Sequence, residues 1–143
     1  MITPPERWLL DTNIWVFGLR RHHAAPECAE LLERIGAFSV VIPLQVLKEL
    51  SLNLTADETN QFYSLINQQS EWLELSWAKA TADRVEFYQQ RGCRKGDAVI
   101  AAHAESFSAK TIVSENRQFL RAMKNLPIRI LTAADALARL CEI

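Results

Sequence analysis

Apolar positions along this chain fall into short runs, separated by longer segments whose hydrophobic residues recur at helical period. WLL (8–10) is the first strand candidate, and the β-branched run FSVVI (38–42) is the second. Between them, PECAELLERI (26–35) has proline in its first turn and Gly36 just past its end, the asymmetry of a helix. Pro43 starts a further helix over LQVLKELSLNL (44–54). Thr55 and Glu58 have the spacing of a capping box, so another helix is expected from there to about residue 69. WLEL (72–75) reads as an edge strand, followed by a helix over 77–90 that Gly92 breaks. Asp97 then opens the helix AVIAAHAESF. TIV (111–113) is a strand, 117–124 a short helix and IRIL (128–131) the last strand, and Thr132 caps the closing helix AADALARL.

Strands alternating with helices predict an α/β fold: one domain over residues 1–143, with a mostly parallel central sheet and helices on both faces. In such folds ligands bind beyond the carboxyl ends of the strands. The composition agrees with a globular domain of this length, at 143 residues, 49% hydrophobic and 23% charged. No apolar run reaches membrane-spanning length, and the MITPPERW start lacks the apolar core of a signal peptide, so the cytoplasm is the expected location. Cys28, Cys93 and Cys141 are odd in number and scattered, which predicts buried or half-buried thiols rather than a disulfide framework or a zinc site. A net charge of −1 excludes a broadly basic surface, so any contact with nucleic acid must come from a local patch or through metal ions.

The candidate chemistry is carboxylate. Asp11 ends LLD, where a buried strand gives way to a turn; its structural alternative is an Asx-turn or the N-cap of a helix beginning near Ile14. Glu49 falls on the flank of the apolar stripe Val46, Leu47, Leu50 and Leu54, where a boundary glutamate with a packed stem is the competing account. Asp97 can serve simply as an N-cap, but the helix it opens is apolar nearly all round and should be buried, with its start facing the cleft. Ser114, Glu115 and Asn116 follow the strand TIV, and ordinary capping accounts for them singly. Taken together, these residues place several oxygen-bearing side chains around one cleft. Converging carboxylates repel unless a cation sits among them, and a hard ion such as Mg²⁺ or Mn²⁺ suits that donor set. His22, His23 and His103 are read as structural.

The order LLDTNI, KEL, GDAVIAAHA and IVSENRQF resembles the PIN domain family, and more narrowly the VapC-type toxins of toxin–antitoxin pairs. The resemblance covers nearly the whole chain from Trp8. It implies a compact three-layer α/β/α sandwich and a metal-dependent nuclease, mostly cutting RNA. It also implies Asp11, Glu49 and Asp97 as the acidic site residues, with Asn116 in the place where many members carry a fourth Asp and Ser114 matching a small hydroxyl residue. Asn116 departs from the acidic pattern and lowers the charge of the site.

By that resemblance Asp11 and Asp97 hold Mg²⁺ or Mn²⁺, and Glu49 completes the shell or helps to deprotonate the attacking water, leaving a 5′-phosphate and a 3′-hydroxyl. Arg91, Arg94 and Lys95, with Arg20 and Arg21, are candidates for phosphate contact, against the alternative of a solvated helix end. The resemblance further implies a small antitoxin partner and a homodimer, with Leu52, Leu54, Phe62 and Tyr63 as candidate interface residues or as core. A PIN nuclease of RNA processing, a degenerate PIN domain that only binds RNA or protein, and a doubly wound phosphatase are the rivals. The phosphatase lacks its second acid, since Asn13 stands there.

Overall fold

The first apolar run becomes β1 (Arg7–Leu10), whose last three residues are fully buried. The chain, a computed structural model describing residues 5–122 and 128–142, continues through α1 (Thr12–Arg20), α2 (Pro26–Glu33), β2 (Ser39–Pro43), α3 (Leu44–Asn53) and α4 (Ala56–Gln68). β3 (Leu73–Ser76), α5 (Ala82–Gln90), α6 (Lys95–Ser106), β4 (Thr111–Val113), α7 (Arg117–Ala122), β5 (Arg129–Leu131) and α8 (Ala133–Glu142) follow. The five strands are all parallel in the order β3-β2-β1-β4-β5, flanked by helices. A parallel sheet needs both faces covered, which is why β1 and β4 are apolar throughout their inner residues rather than alternating.

β1 is central. Successive strands β2 and β3 extend the sheet to one side of it, whereas β4 and β5 extend it to the other. The direction of winding therefore reverses between β1 and β4, and a crevice opens beyond their carboxyl ends. Pairing continues one residue past each strand, because Asp11 N–H donates to Val113 O at 2.9 Å and Ser114 N–H donates to Leu131 O at 2.9 Å. Asp11 and Ser114 thus leave the sheet side by side.

Large rings fill the core around this frame. Trp8 stacks on Phe38 with centroids 4.5 Å apart, and Trp15 of α1 meets Phe62 of α4 edge-on at 5.2 Å. α1 packs closely on α2, where a Cβ at Gly18 would stand 2.5 Å from Leu32 Cδ1 and 3.1 Å from Cys28 O. Among the described residues no helix is long and apolar enough to cross a membrane, and no disulfide joins the thiols: Cys28 and Cys93 are buried, Cys141 exposed.

The expected elements all appear, with differences at their ends. The capping box is present in full: Glu58 N–H donates to Thr55 Oγ1 and Thr55 N–H donates to Glu58 Oε1. Thr132 Oγ1 accepts from Asp135 N–H at the start of α8, as its position predicts. The helix expected over 77–90 starts only at Ala82, because Ala78 N–H turns back onto Ser76 Oγ and Thr81 holds the extended geometry of an N-cap. α6 starts earlier than expected: Arg94 is its N-cap, Lys95 and Gly96 are helical, and Asp97 sits inside the first turn rather than opening the helix. Gly92, at φ 99°, makes the break that lets the chain turn back at that point. α1 begins at Thr12, two residues before the expected start. Of the helix expected over 117–124, the last two residues lie outside the described residues.

Candidate functional site

Asp11 is 4% exposed and all of its close partners are neutral. Its Oδ1 accepts from Thr12 N–H at 2.8 Å, making it the N-cap of α1, and its Oδ2 accepts from Ser114 Oγ–H at 2.7 Å and from Asn13 Nδ2 at 3.4 Å. Burial pushes its carboxyl above the usual range, the hydrogen bonds from Ser114 and Thr12 oppose that shift, and the Glu49 charge adds to it. The capping and cleft readings of Asp11 therefore describe one residue with two roles.

Glu49 reaches the same crevice from α3. Its Oε2 accepts from the Thr12 hydroxyl and its Oε1 from Gln45 Nε2 at 3.1 Å, so both oxygens are held. Asp97 comes from the first turn of α6. Its Oδ2 is buried with no hydrogen-bond partner, and burial, followed by the charges of Asp11 and Glu49, raises its pKa to about 6 against a partial offset from Arg94. Asp11, Glu49, Asp97 and Asn116 line one cavity of about 310 Å³ with Thr12, Asn13 and Asn53. The residues singled out by sequence are brought together.

Asn116 has a second occupation. Its Oδ1 accepts from Gln118 N–H at 3.0 Å and Phe119 N–H at 3.4 Å, capping α7, while its own N–H donates to Ser114 Oγ. The amide oxygen is thus engaged by backbone rather than directed at the acids. Glu115 likewise accepts from Ala133 N–H, at the start of α8. Among the described residues, no group of three or more His, Cys, Asp or Glu side chains stands close enough to hold a metal ion unaided.

The surrounding cations divide by engagement. Arg20 donates to Glu58 at 2.7 Å and to Asn53 O at 2.8 Å, and Arg21 pairs with Glu33 at 2.8 Å, so neither is a ready phosphate ligand. Arg91 lies over the Phe87 ring at 3.5 Å and donates to Phe87 O. Arg94 and Lys95 are exposed beside Asp97. His103 is buried, and burial lowers its pKa, in keeping with a structural role. Of the four apolar interface candidates, Phe62 belongs to the core and Leu54 is half-buried, whereas Leu52 and Tyr63 are exposed. A larger cavity of about 560 Å³ lies between α1, α2 and α4, but its charged residues Arg21 and Glu33 neutralise each other and no acids converge there.

Sequence reasoning gave no role to Thr12, Asn13 or Gln45. Thr12 and Asn13 lie inside the quoted motif, and Asn13 bridges the two strand ends, since Glu115 N–H donates to its Oδ1 while its Nδ2 donates to Asp11. Gln45 stands four residues before Glu49 on α3, a spacing that puts the two side chains on one helix face and was legible in advance.

The sequence matches the PIN domain family over residues 8–125. No curated protein sequence matches the chain. Among solved structures, VapBC2 from Rickettsia felis, bound to a DNA fragment from its promoter, is similar at 25% identity and TM-score 0.58, covering 88% of this chain and 98% of that one. PAE2754 from Pyrobaculum aerophilum superposes with TM-score 0.61 at 16% identity, covering 96% and 97%. VapBC-1 from nontypeable Haemophilus influenzae gives 0.56 at 15% identity, covering 90% and 98%. The last two likenesses speak for the fold alone.

Proposed function

The chain belongs to the PIN domain family, whose members are nucleases that generally use divalent metal ions, and on that premise we propose that it is a Mg²⁺- or Mn²⁺-dependent endoribonuclease, the toxin of a toxin–antitoxin pair. One observation carries the reading. Three carboxylates from β1, α3 and α6 meet in one cavity at the reversal of the sheet, and one of their oxygens, Asp97 Oδ2, is buried without a partner. Such an oxygen costs stability unless something binds it, and a hard cation fits both it and the raised Asp11 carboxyl that lines the same cavity. Mg²⁺ keeps several of its waters and needs only one or two protein carboxylates, which agrees with a site where, among the described residues, no three ligands stand preformed.

In this reading Asp11 and Asp97 hold the ion. When bound, it lowers the pKa of an attacking water and neutralises charge on the scissile phosphate. Glu49, fixed at both oxygens by Thr12 and Gln45, lies beside them to take the proton from that water. Asn13 and Ser114 keep Asp11 oriented. Water attacks phosphorus in line, the bond to the 3′ oxygen breaks, and the products carry a 5′-phosphate and a 3′-hydroxyl. Asn116 holds the start of α7 at the cavity wall and contributes no charge.

The test is cleavage of a structured RNA pool by the purified protein with Mg²⁺, with Mn²⁺ and with chelator, beside the Asp97→Asn variant. Cutting that needs metal and disappears in the variant is the expected result. Metal-independent cutting, or unchanged cutting by Asp97→Asn, overturns the reading. The toxin role, with an antitoxin partner and a homodimer, predicts growth arrest on expression that a small neighbouring reading frame relieves; normal growth with active enzyme points instead to RNA processing.

A further inference from the structure

A second groove, of about 280 Å³, adjoins the carboxylate cavity along α3. Gln45 lines it and also donates to Glu49, so one side chain serves both. Lys48 precedes Glu49 on the same helix, Val99 and His103 of α6 form the opposite wall, and Lys79 enters from the linker 77–81 between β3 and α5. Among the described residues no carboxylate lines this groove. Lys48 and Lys79 are exposed, and neither ammonium has an ion-pair or hydrogen-bond partner among the described residues. Trp77, which directly precedes the groove-lining Ala78 in the chain, is 68% exposed, whereas Trp8 and Trp15 are wholly buried. The linker that carries Trp77 stays outside the helix that its sequence predicts.

A cavity built from three acids in a chain of net charge −1 repels a polyanion, so productive approach needs local cations and a surface that holds bases. We propose that Trp77, Lys48 and Lys79 form the track along which a single-stranded nucleic-acid segment runs into the carboxylate cavity, a base stacking on the indole and backbone phosphates meeting the two lysines. The inference builds on the nuclease reading of that cavity. Aromatic stacking tolerates any base, and lysine contacts carry no sequence information, so the track positions substrate without choosing it. Self-association through the same groove would instead bring unpaired lysines of two copies together, which like-charge repulsion disfavours.

The test is binding of a short labelled single-stranded RNA, its integrity checked on a gel, with Mg²⁺ and in parallel with chelator, across a salt series. The double variant Lys48→Gln/Lys79→Gln is expected to flatten the slope of log affinity against log salt by about 1.4, two phosphates at roughly 0.7 each. Trp77→Ala should weaken binding roughly 5- to 150-fold, and Trp77→Phe should restore most of that. RNA should quench tryptophan fluorescence in the unaltered protein and not in Trp77→Phe. Lys110→Gln, at the opposite end of the sheet, should change nothing. Unchanged slope and affinity in the groove variants overturn the track while leaving the nuclease reading standing. Absence of binding by the unaltered protein also overturns it, and the cleavage assay then decides the nuclease reading separately. A shift in oligomeric state in Trp77→Ala at constant RNA affinity would reassign the face to self-association.

Discussion

Asp97 carries its charge at a cost. Its pKa of about 6 lies above the value of about 3.9 expected in an unfolded chain. Between those two values the folded state binds the extra proton, so stability falls as pH rises through this window and the penalty is complete above about 6. Asp97→Asn is therefore expected to stabilise the metal-free protein at pH 7.5, by about 1 kcal/mol after solvent screening or roughly 3 °C in Tm, with the gain vanishing near pH 4. Thermal melts across pH check this, and a lower Tm for the variant at pH 7.5 refutes the assignment. Ser114→Ala acts in the opposite sense. It removes a hydroxyl that donates to the buried Asp11 carboxylate at 2.7 Å, so a loss of about 1.5–3 kcal/mol is expected at neutral pH. The acid limb of the cleavage profile should also move to higher pH, because Asp11 becomes harder to ionise; denaturant titration and a pH–rate profile read the two effects.

At the scale of elements, two helical glycines separate packing from chemistry. A Cβ at Gly18 would stand 2.5 Å from Leu32 Cδ1 and 3.1 Å from a backbone oxygen, so α1 and α2 must part to admit it. Gly18→Ala is expected to destabilise by about 1–3 kcal/mol even though alanine is the better helix former. A Cβ at Gly96 would stand 3.2 Å from Glu49 Oε1, a side-chain atom that can move. Gly96→Ala should leave Tm unchanged or slightly raised while cleavage falls at least about tenfold, because Glu49 is displaced from its hydrogen bonds. Equal Tm losses in the two variants would contradict this division. The same helices show what local sequence conveys. The capping box at Thr55 and Glu58 is complete within four residues and was legible. The start of α6 was not, since Gly92 turns the chain early and Arg94, three residues before Asp97, takes the extended N-cap geometry.

At the scale of the molecule, the sheet order joins residues far apart in the chain: Asp11 and Ser114 are separated by 103 positions and share a hydrogen bond. The acids line one cavity at the meeting of segments far apart in the chain, so a cation bound there should stabilise the whole fold. Mg²⁺ at about 100 times its Kd adds about 2.7 kcal/mol of apparent stability. A rise in Tm with Mg²⁺ is expected for the unaltered protein and not for Asp97→Asn, and the rise should fade as pH drops through about 6, where protons compete for Asp97. Equal Mg²⁺ effects in both proteins would place the ion elsewhere.

The sequence by itself determined what short-range physics decides. Apolar runs and helical periods, proline and glycine at helix ends, and one capping box specified the order of strands and helices, and Asp11, Glu49 and Asp97 stood out through motifs that are short and continuous in the chain. Only the tertiary structure decided which strand ends adjoin, because pairing across the sheet depends on packing between distant segments rather than on neighbours in the chain. It committed the Asn116 oxygen to a helix cap, tied Arg20 and Arg21 to acids of other helices, left Trp77 in solvent, and brought Lys48 and Lys79 to one groove. Each of these outcomes turns on which groups meet in space, and a polar or aromatic side chain takes its role from the partners that folding brings within reach.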